Sequence, residues 1–155
     1  MGDALRGILI DPYTQLVTEV DTEPYPAWLK LLQVEAITSV RFGINEDTGQ
    51  FEDLWVDDDG LITATEDTRY FKVANYDQPL AGRGIIFGTN PAGETVSSGL
   101  PLEFVRHVVS WPNVRFTGFT HDEPSEEHHE VFGDVTVHRQ HAHFEEKEDD
   151  PHEGT

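Results

Sequence analysis

The sequence predicts an α+β fold: a single small domain, mostly antiparallel sheet with two short helices, followed by an acidic, histidine-rich C-terminal extension. Two observations support this prediction. Short β-prone runs separated by turn residues recur through residues 1–120, whereas only two segments have helical spacing. The composition then changes abruptly near His121. Strands and helices in this irregular order favour α+β over a doubly wound parallel sheet.

The predicted strands are apolar or β-branched runs that end at turn signals. Asp11-Pro12-Tyr13-Thr14 separates Gly7–Ile10 from Gln15–Val20 and predicts an opening hairpin. Turns are expected at 45–50 and 90–93. Five further strands are predicted, at 36–42, 52–56, 70–73, 84–88 and 114–118. The run at 84–88 has no polar residue, which is typical of a strand buried on both faces.

Two segments are predicted to be helical. Pro26–Gln33 begins with a proline suited to a first helical turn and carries several apolar residues. Pro101–Ser110 places Leu102, Val105 and Val108 on one face, and Pro112 is expected to end it.

Composition limits the classes of function. The chain has 155 residues, no cysteine, and 30 acidic against 10 basic residues, a net charge of −20. Disulfides and thiolate sites are therefore excluded, and direct binding of nucleic acid or anionic membranes is disfavoured because phosphate repels such a surface. No stretch approaches the roughly 18 apolar residues of a membrane span. We expect a cytoplasmic protein, with a basic protein as its partner, and the sequence leaves the oligomeric state open.

The charge divides unevenly along the chain. Residues 1–120 hold 18 acids and 8 bases, whereas residues 121–155 hold 12 acids and 2 bases together with seven of the eight histidines. We expect a compact domain over 1–120. Residues 121–144 are predicted to form a loop, His121–Glu130, and then one strand, Val131–Phe144. Residues 145–155 lack apolar side chains and are predicted to be disordered. The histidines make the extension's charge sensitive to pH between about 5 and 7.

Three segments in this order carry a family resemblance: Gly7–Pro12, Asp53–Leu61 (DLWVDDDGL), and Gln78–Gly84 (QPLAGRG) before Gly88-Thr89-Asn90. Over about residues 7–110 the chain resembles an uncharacterised family of domains of unknown function found in bacteria, their phages and mobile elements. The resemblance implies a small intracellular protein of phage or mobile-element type. It implies no functional residue.

The acidic turn Asp57-Asp58-Asp59-Gly60 has two interpretations. Residues 55–66 can be aligned with an EF-hand calcium loop, but Trp55 occupies the first position, where the loop needs a carboxylate. The flanking segments are also predicted strands rather than helices. We therefore favour a tight acidic turn in which Gly60 supplies a positive φ.

The extension offers candidate metal ligands in His138, His141 and His143. If they lie on one strand, His141 and His143 point to the same face, because side chains alternate. A His-x-His pair suits zinc, nickel or copper, so a weak divalent-metal site is one interpretation. The other is an exposed polar strand. No other cofactor is expected.

No motif places a nucleophile and a base together, so we do not expect an enzyme. The sequence favours an acidic interaction protein, one that mimics nucleic acid and inhibits a basic host nuclease or defence protein. Its acidic surface is expected at Asp57, Asp58, Asp59, Glu126, Glu127 and Glu130. The alternative is a small-ligand or metal-binding accessory domain without catalysis. Salt adaptation would also explain the acidity.

Overall fold

The computed structural model describes residues 4–34, 36–121, 125–129, 133–137 and 140–147. The predicted α+β class is confirmed, because antiparallel strands dominate and the two helices are short. Neither helix in this part of the chain has the length and apolarity that a membrane crossing requires. The chain forms two compact units, Met1–Asn113 and Val114–Thr155.

In its described residues, the first unit forms nine strands and two helices. In chain order they are β1 (Leu5–Asp11), β2 (Leu16–Thr22), α1 (Leu29–Leu32), β3 (Ile37–Asn45), β4 (Gln50–Asp57), β5 (Tyr70–Val73), β6 (Leu80–Ala81), β7 (Gly84–Thr89), β8 (Thr95–Val96), α2 (Leu102–Val108) and β9 (Val109–Ser110).

The main sheet of the first unit has the order β2-β1-β7-β4-β3, and β8 pairs with the end of β7. Every pairing in it is antiparallel. The predicted opening hairpin is confirmed, since β1 and β2 pair from Leu5↔Thr22 to Asp11↔Leu16. The short strands β6, β5 and β9 form a second sheet, also antiparallel.

Apolar clusters cover both faces of the main sheet. On one face, Ile86 of β7 packs with Leu54 of β4 and with Val105 of α2. On the other, Ile85 packs with Trp28 and Leu32 at helix α1. Because both faces are covered, consecutive residues of β7 are buried on opposite sides, as the apolar run at 84–88 predicted. Neighbouring residues of β4 likewise face different clusters.

The predicted helices are present but shorter. The first is α1, Leu29–Leu32, within the predicted Pro26–Gln33. The second, α2, ends at Val108, so the expectation that Pro112 ends it was wrong. Val109 and Ser110 are extended instead and pair with Val73 and Lys72 of β5. Their pairing with another strand replaces the last helical turn.

The described residues of the second unit form four strands: β10 (Val114–His121), β11 (Ser125–His129), β12 (Gly133–Val137) and β13 (Gln140–Glu146). β10 pairs with β13, and β11 pairs with β12, both antiparallel. Phe116, Phe119 and Phe144 pack together between β10 and β13, with ring centroids 4.8 Å and 5.8 Å from that of Phe116.

Two predictions for the extension were wrong. His121–Glu130 is not a loop, because 125–129 form β11. Val131–Phe144 is not one strand, because β12 and β13 pair with different partners. Cross-strand pairing forms strands here that local apolarity does not indicate. Within the predicted disordered segment, Glu145 and Glu146 end β13, and 148–155 lie outside the described residues. The division predicted after Thr120 falls inside β10.

Candidate ligand-binding cleft

The first unit has a cleft of about 980 Å³ between the β3–β4 hairpin and helix α2. The hairpin end is well defined: Asn45 pairs with Gln50, and the Asn45 carbonyl accepts a 2.8 Å hydrogen bond from the Gly49 amide. Gly49 adopts a φ of 72°, which favours glycine. The residues lining the cleft are Phe42, Gly43, Ile44, Asn45, Glu46, Thr48, Gln50, Glu52, Ala74, Asn75, Gly99, Leu100, Pro101, Phe104 and Val108.

One part of the cleft wall is aromatic. Phe42 of β3 is buried and meets Phe104 of α2 edge to face, with centroids 6.4 Å apart and an interplanar angle of 83°. Phe104 remains 48% exposed, and Ile44 is 52% exposed. Large apolar side chains are therefore available at the rim as well as within the cleft.

A β-bulge shapes the cleft at Phe42. The register shifts between Arg41, which pairs with Asp53, and Gly43, which pairs with Glu52. A bulge places two consecutive residues of one strand opposite one residue of the other. The Asn75 side-chain amide donates a 2.6 Å hydrogen bond to the Phe42 carbonyl and holds the bulge against the loop after β5.

Glu52 is the main polar group of the cleft. It is only 4% exposed. Its Oε1 accepts hydrogen bonds from the Gly99 amide at 2.7 Å and from Gln50 Nε2 at 3.0 Å. Its Oε2 accepts one from the Ser98 hydroxyl at 2.9 Å. A carboxylate offers about four acceptor positions. Among the described residues, three of these positions are filled, all by neutral donors, and one on Oε2 has no partner.

Glycines flank Glu52 on both neighbouring strands. Gly43 of β3 and Gly88 of β7 are its cross-strand partners. A Cβ atom on Gly88 would come 2.4 Å from Gln50 Nε2 and 2.8 Å from the Ser97 carbonyl oxygen, so glycine is required for close packing. A Cβ on Gly43 would meet nothing within 4 Å. Gly88 thus lets the hydrogen-bonded wall approach Glu52, whereas Gly43 leaves the opposite side open.

The loop 97–100 that contacts Glu52 is fixed by Arg6. The Arg6 amide donates to the Ser97 hydroxyl at 2.8 Å, and the Ser98 amide donates to the Arg6 carbonyl at 2.8 Å. The Arg6 guanidinium donates to the carbonyls of Ser98 at 3.0 Å and Leu100 at 2.8 Å, and it also pairs with Glu19. The loop is therefore held in place without a ligand.

Asp53, the next residue of β4, has different partners. Its carboxylate lies 2.9 Å and 3.3 Å from Nε and Nη2 of Arg41, and Thr89 Oγ1 donates to it at 2.7 Å. The hydrogen bond to Asp53 is the main cause that raises the pKa of Arg41 above its usual value. The guanidinium also lies 3.6 Å from the ring centroid of Phe51. Asp53 is thus a buried carboxylate paired with a cation, whereas no cation among the described residues pairs with Glu52.

The charge of the cleft is one-sided. Its described lining includes the acids Glu46 and Glu52 and no lysine, arginine or histidine. The arrangement can therefore hold an apolar body against the aromatic wall while an acceptor oxygen of Glu52 receives a donor. Such a combination of apolar surface with few convergent polar groups is typical of small-molecule sites.

The predicted acidic surface is only partly brought together. Asp58 and Asp59 are exposed after β4, and the Asp59 amide donates to Asp57 Oδ1 at 3.0 Å, as in a local turn. Glu126 is exposed on β11 in the second unit, the backbone of Glu127 belongs to the same strand, and Glu130 lies outside the described residues.

The turn at Gly60 is present, but the reason predicted for glycine there, a positive φ, was wrong. Gly60 does not have a positive φ. A Cβ there would lie 3.1 Å from the Ala81 Cβ and 3.4 Å from the Ala81 carbonyl oxygen. Glycine at this position allows the turn to approach β6 closely. By contrast, Gly82 does have a φ of 78° at the bend before β7.

The candidate metal ligands are not assembled in the described part of the chain. His141 and His143 both lie on β13 and are exposed, and His143 Nε2 is 2.5 Å from the Thr120 hydroxyl. His138 lies outside the described residues. Among the residues that the structure describes, no group of three or more histidine or acidic side chains is positioned to hold a metal ion.

Sequence reasoning missed the cleft. Glu52 and Asp53 stand together in a predicted strand, and neighbouring side chains of a strand point to opposite faces. Two adjacent acids inside a sheet covered on both faces must both be buried. The adjacent acids are visible in the sequence. They indicate burial only if β4 lies inside the sheet, and local sequence does not reveal its position.

No family model, characterised protein or solved structure significantly matches the chain. The resemblance to a phage and mobile-element family therefore stays a prediction.

Proposed function

We propose that the first unit is a small-ligand-binding domain and that the cleft between the β3–β4 hairpin and α2 is its site. The observation that carries the proposal is Glu52, a buried carboxylate in the cleft whose partners in the described part of the chain are three neutral donors and no cation.

The fold uses Glu52 as a hydrogen-bonding group for the loop 97–100. Anchoring Ser98 and Gly99 needs hydrogen-bonding groups at this position but not a charge. A neutral glutamine could accept from the Gly99 amide with its oxygen and donate to the Ser98 hydroxyl with its amide, and it would avoid the cost of burying a carboxylate without a counter-charge. Buried charge that the fold does not use is typical of binding sites, where stability is given up for recognition.

The cleft also has the size and rigidity of a ligand site. Its volume of about 980 Å³ is at the upper end of small-molecule pockets. Arg6 and Glu52 fix one wall, and Asn75 fixes the bulge at Phe42. A preformed site of this kind loses little conformational entropy when it binds.

The proposal is tested by adding a panel of small aromatic and aliphatic fragments to the full chain and recording ¹H–¹⁵N NMR spectra. We expect saturable shifts at the amides of Gly43, Gly99 and Phe104. Saturable shifts confined to other regions, or none in the cleft, would contradict the proposal.

Gly43→Phe is the variant expected to block the cleft, and Gly43→Ala is its matched control. Gly43 has an ordinary φ and open space at its Cβ position, so an aromatic side chain enters the cleft without backbone strain. We expect this variant to stay folded and to lose fragment affinity by at least about tenfold, since the ring occupies the binding volume. Gly43→Ala, which adds one methyl group, should bind nearly as well as the wild type.

We also propose, as a second candidate, the function predicted from the sequence. In it, the chain is an acidic cytoplasmic protein that mimics nucleic acid and thereby inhibits a basic host protein. The observation in its favour is that, among the acidic residues whose side chains the structure describes, only Glu52 and Asp53 are buried. Asp58, Asp59, Glu66 and Asp67 are all exposed within one irregular segment after β4.

This second proposal is tested with a basic DNA-binding protein at increasing salt. Binding should weaken steeply as salt screens the carboxylates, and duplex DNA should compete. Replacing Asp58 and Asp59 by asparagine should weaken it as well. Binding that ignores salt, or no binding at low salt, would argue against mimicry.

A further inference from the structure

We propose that the ligand of the cleft is a small organic cation: an ammonium or similar positively charged donor group carried on an aromatic body. Glu52 is inferred to determine this specificity. The inference rests on the proposed function of the cleft and deepens it.

The first reason is charge. Every charged side chain in the described lining of the cleft is acidic, and a carboxylate disfavours a second anion nearby. A cationic ligand would give Glu52 the counter-charge that Arg41 gives Asp53 on the other side of the same strand. A buried ion pair is favourable when its remaining hydrogen bonds are made, and Glu52 already makes three.

The second reason is geometry at the carboxylate. Oε1 receives two donors, and Oε2 receives only the Ser98 hydroxyl. One acceptor position on Oε2 therefore remains for a donor from a ligand. The open space beside Gly43, directly across from Glu52 on β3, gives that donor room. Gly88, on the other side, leaves no such room.

The third reason is the aromatic wall. Phe104 packs edge to face on Phe42 and keeps nearly half of its surface exposed. An aromatic ligand can extend this edge-to-face arrangement, and its ammonium group gains from proximity to ring faces. A ligand with a charged group alone would leave this surface exposed to water.

The test compares three probes of similar size: 2-phenylethylamine, 2-phenylethanol and 3-phenylpropionate. They carry a cationic, a neutral and an anionic group on the same aromatic body. Affinities are measured by NMR titration at neutral pH and near-physiological salt on the full chain. For the wild type we expect the amine to bind about tenfold or more tightly than the alcohol, and the carboxylate weakest of all.

Glu52→Gln is the decisive variant. Glutamine is nearly isosteric, its oxygen can accept from Gly99 and Gln50, and its amide can donate to the Ser98 hydroxyl. We expect the preference for the amine over the alcohol to fall close to one, with alcohol affinity retained. Glu94→Gln is the matched control: it removes the same charge from an exposed position outside the cleft and should keep the preference.

The outcomes separate this inference from the proposed function. If the alcohol binds in the cleft as tightly as the amine, or if Glu52→Gln keeps the amine preference, the ligand class is wrong and the cleft remains a site. If Glu94→Gln lowers the preference as much as Glu52→Gln, overall charge rather than Glu52 is responsible, and the inference fails. If Glu52→Gln does not fold, the relative affinities of the three probes for the wild type still test the ligand class, because an amine that binds no tighter than the alcohol would overturn it. If no probe and no fragment shifts the cleft amides, the proposed function falls with the inference.

Discussion

Glu52 and Asp53 are adjacent in sequence, yet their carboxylates have different roles in this structure. Both are buried in β4, on opposite faces of a sheet that is covered on both sides. Arg41 and Thr89 hold Asp53, which gives this carboxylate a structural ion pair. Glu52 holds a loop through neutral donors and lines a cleft. Asp53 is thus paired with a cation, whereas the donors to Glu52 among the described residues are neutral.

The two glycines beside Glu52 should respond oppositely to alanine. Gly43→Ala is expected to be neutral or to stabilise by up to about 0.5–1 kcal/mol, because it lowers the entropy of the unfolded chain without a clash. Gly88→Ala should destabilise by about 1–3 kcal/mol, because its Cβ meets Gln50 and the Ser97 carbonyl. Urea denaturation of both variants measures this. Equal effects at the two positions would mean that the spaces around Glu52 are not as described.

At this scale the sequence was informative about composition but not about burial. The turn expected at Asp57–Gly60 is present, because Asp57 ends β4 and its Oδ1 accepts a hydrogen bond from the Asp59 amide. The adjacent acids Glu52 and Asp53 indicate burial only once the position of β4 in the sheet is known, because the environment of Glu52 includes β7 and the 97–100 loop, which are distant in sequence.

Among the secondary-structure elements, locally specified features were predictable. The β1–β2 hairpin and the turn at 45–50 follow from proline, asparagine and glycine placed between apolar runs. The bulge at Phe42 and the strand β9 were not predictable in this way. The bulge depends on the Asn75 amide, and β9 exists because Val109 and Ser110 meet β5. Both are tertiary effects that override local preference.

The loop 97–100 is expected to depend on Arg6. Arg6→Met removes the two charge-assisted hydrogen bonds from the Arg6 guanidinium to the carbonyls of Ser98 and Leu100, each worth about 1.5–3 kcal/mol. Methionine keeps much of the apolar stem of arginine. Amide hydrogen exchange at Ser98 and Gly99 should accelerate by at least about tenfold relative to β7.

Arg106→Met is the comparison for Arg6→Met, since Arg106 donates to the Val17 carbonyl but not to this loop. It should leave exchange at Ser98 and Gly99 unchanged. If both variants accelerate exchange equally, the loop is not held specifically by Arg6.

Considered as a whole molecule, the chain divides into a first unit, which contains the cleft, and a second unit of paired strands. Both apolar clusters and every residue that lines the cleft lie within residues 4–113. The sharp rise of acidity and histidine content toward the C-terminus was evident from composition. The strand pairing within the second unit was not, because β11 and β13 are polar and their strands are established by their partners.

A chain that ends at Asn113 should therefore fold and keep the cleft. We expect cooperative thermal unfolding and the same fragment-induced shifts at Gly43 and Gly99 as in the full chain. Circular dichroism and NMR measure the two properties. A truncated chain that is unfolded, or folded without cleft binding, would show that the first unit depends on residues beyond 113.

The most direct test of the central claim is the melting temperature of Glu52→Gln beside that of Asp53→Asn, both without ligand. If Glu52 carries a charge that serves a ligand rather than the fold, Glu52→Gln should melt at or above the wild-type temperature. Asp53→Asn should melt several degrees lower, because it weakens the hydrogen bonds from Arg41. A Glu52→Gln protein that melts as far below the wild type as Asp53→Asn would contradict the account, because the charge of Glu52 would then be structural.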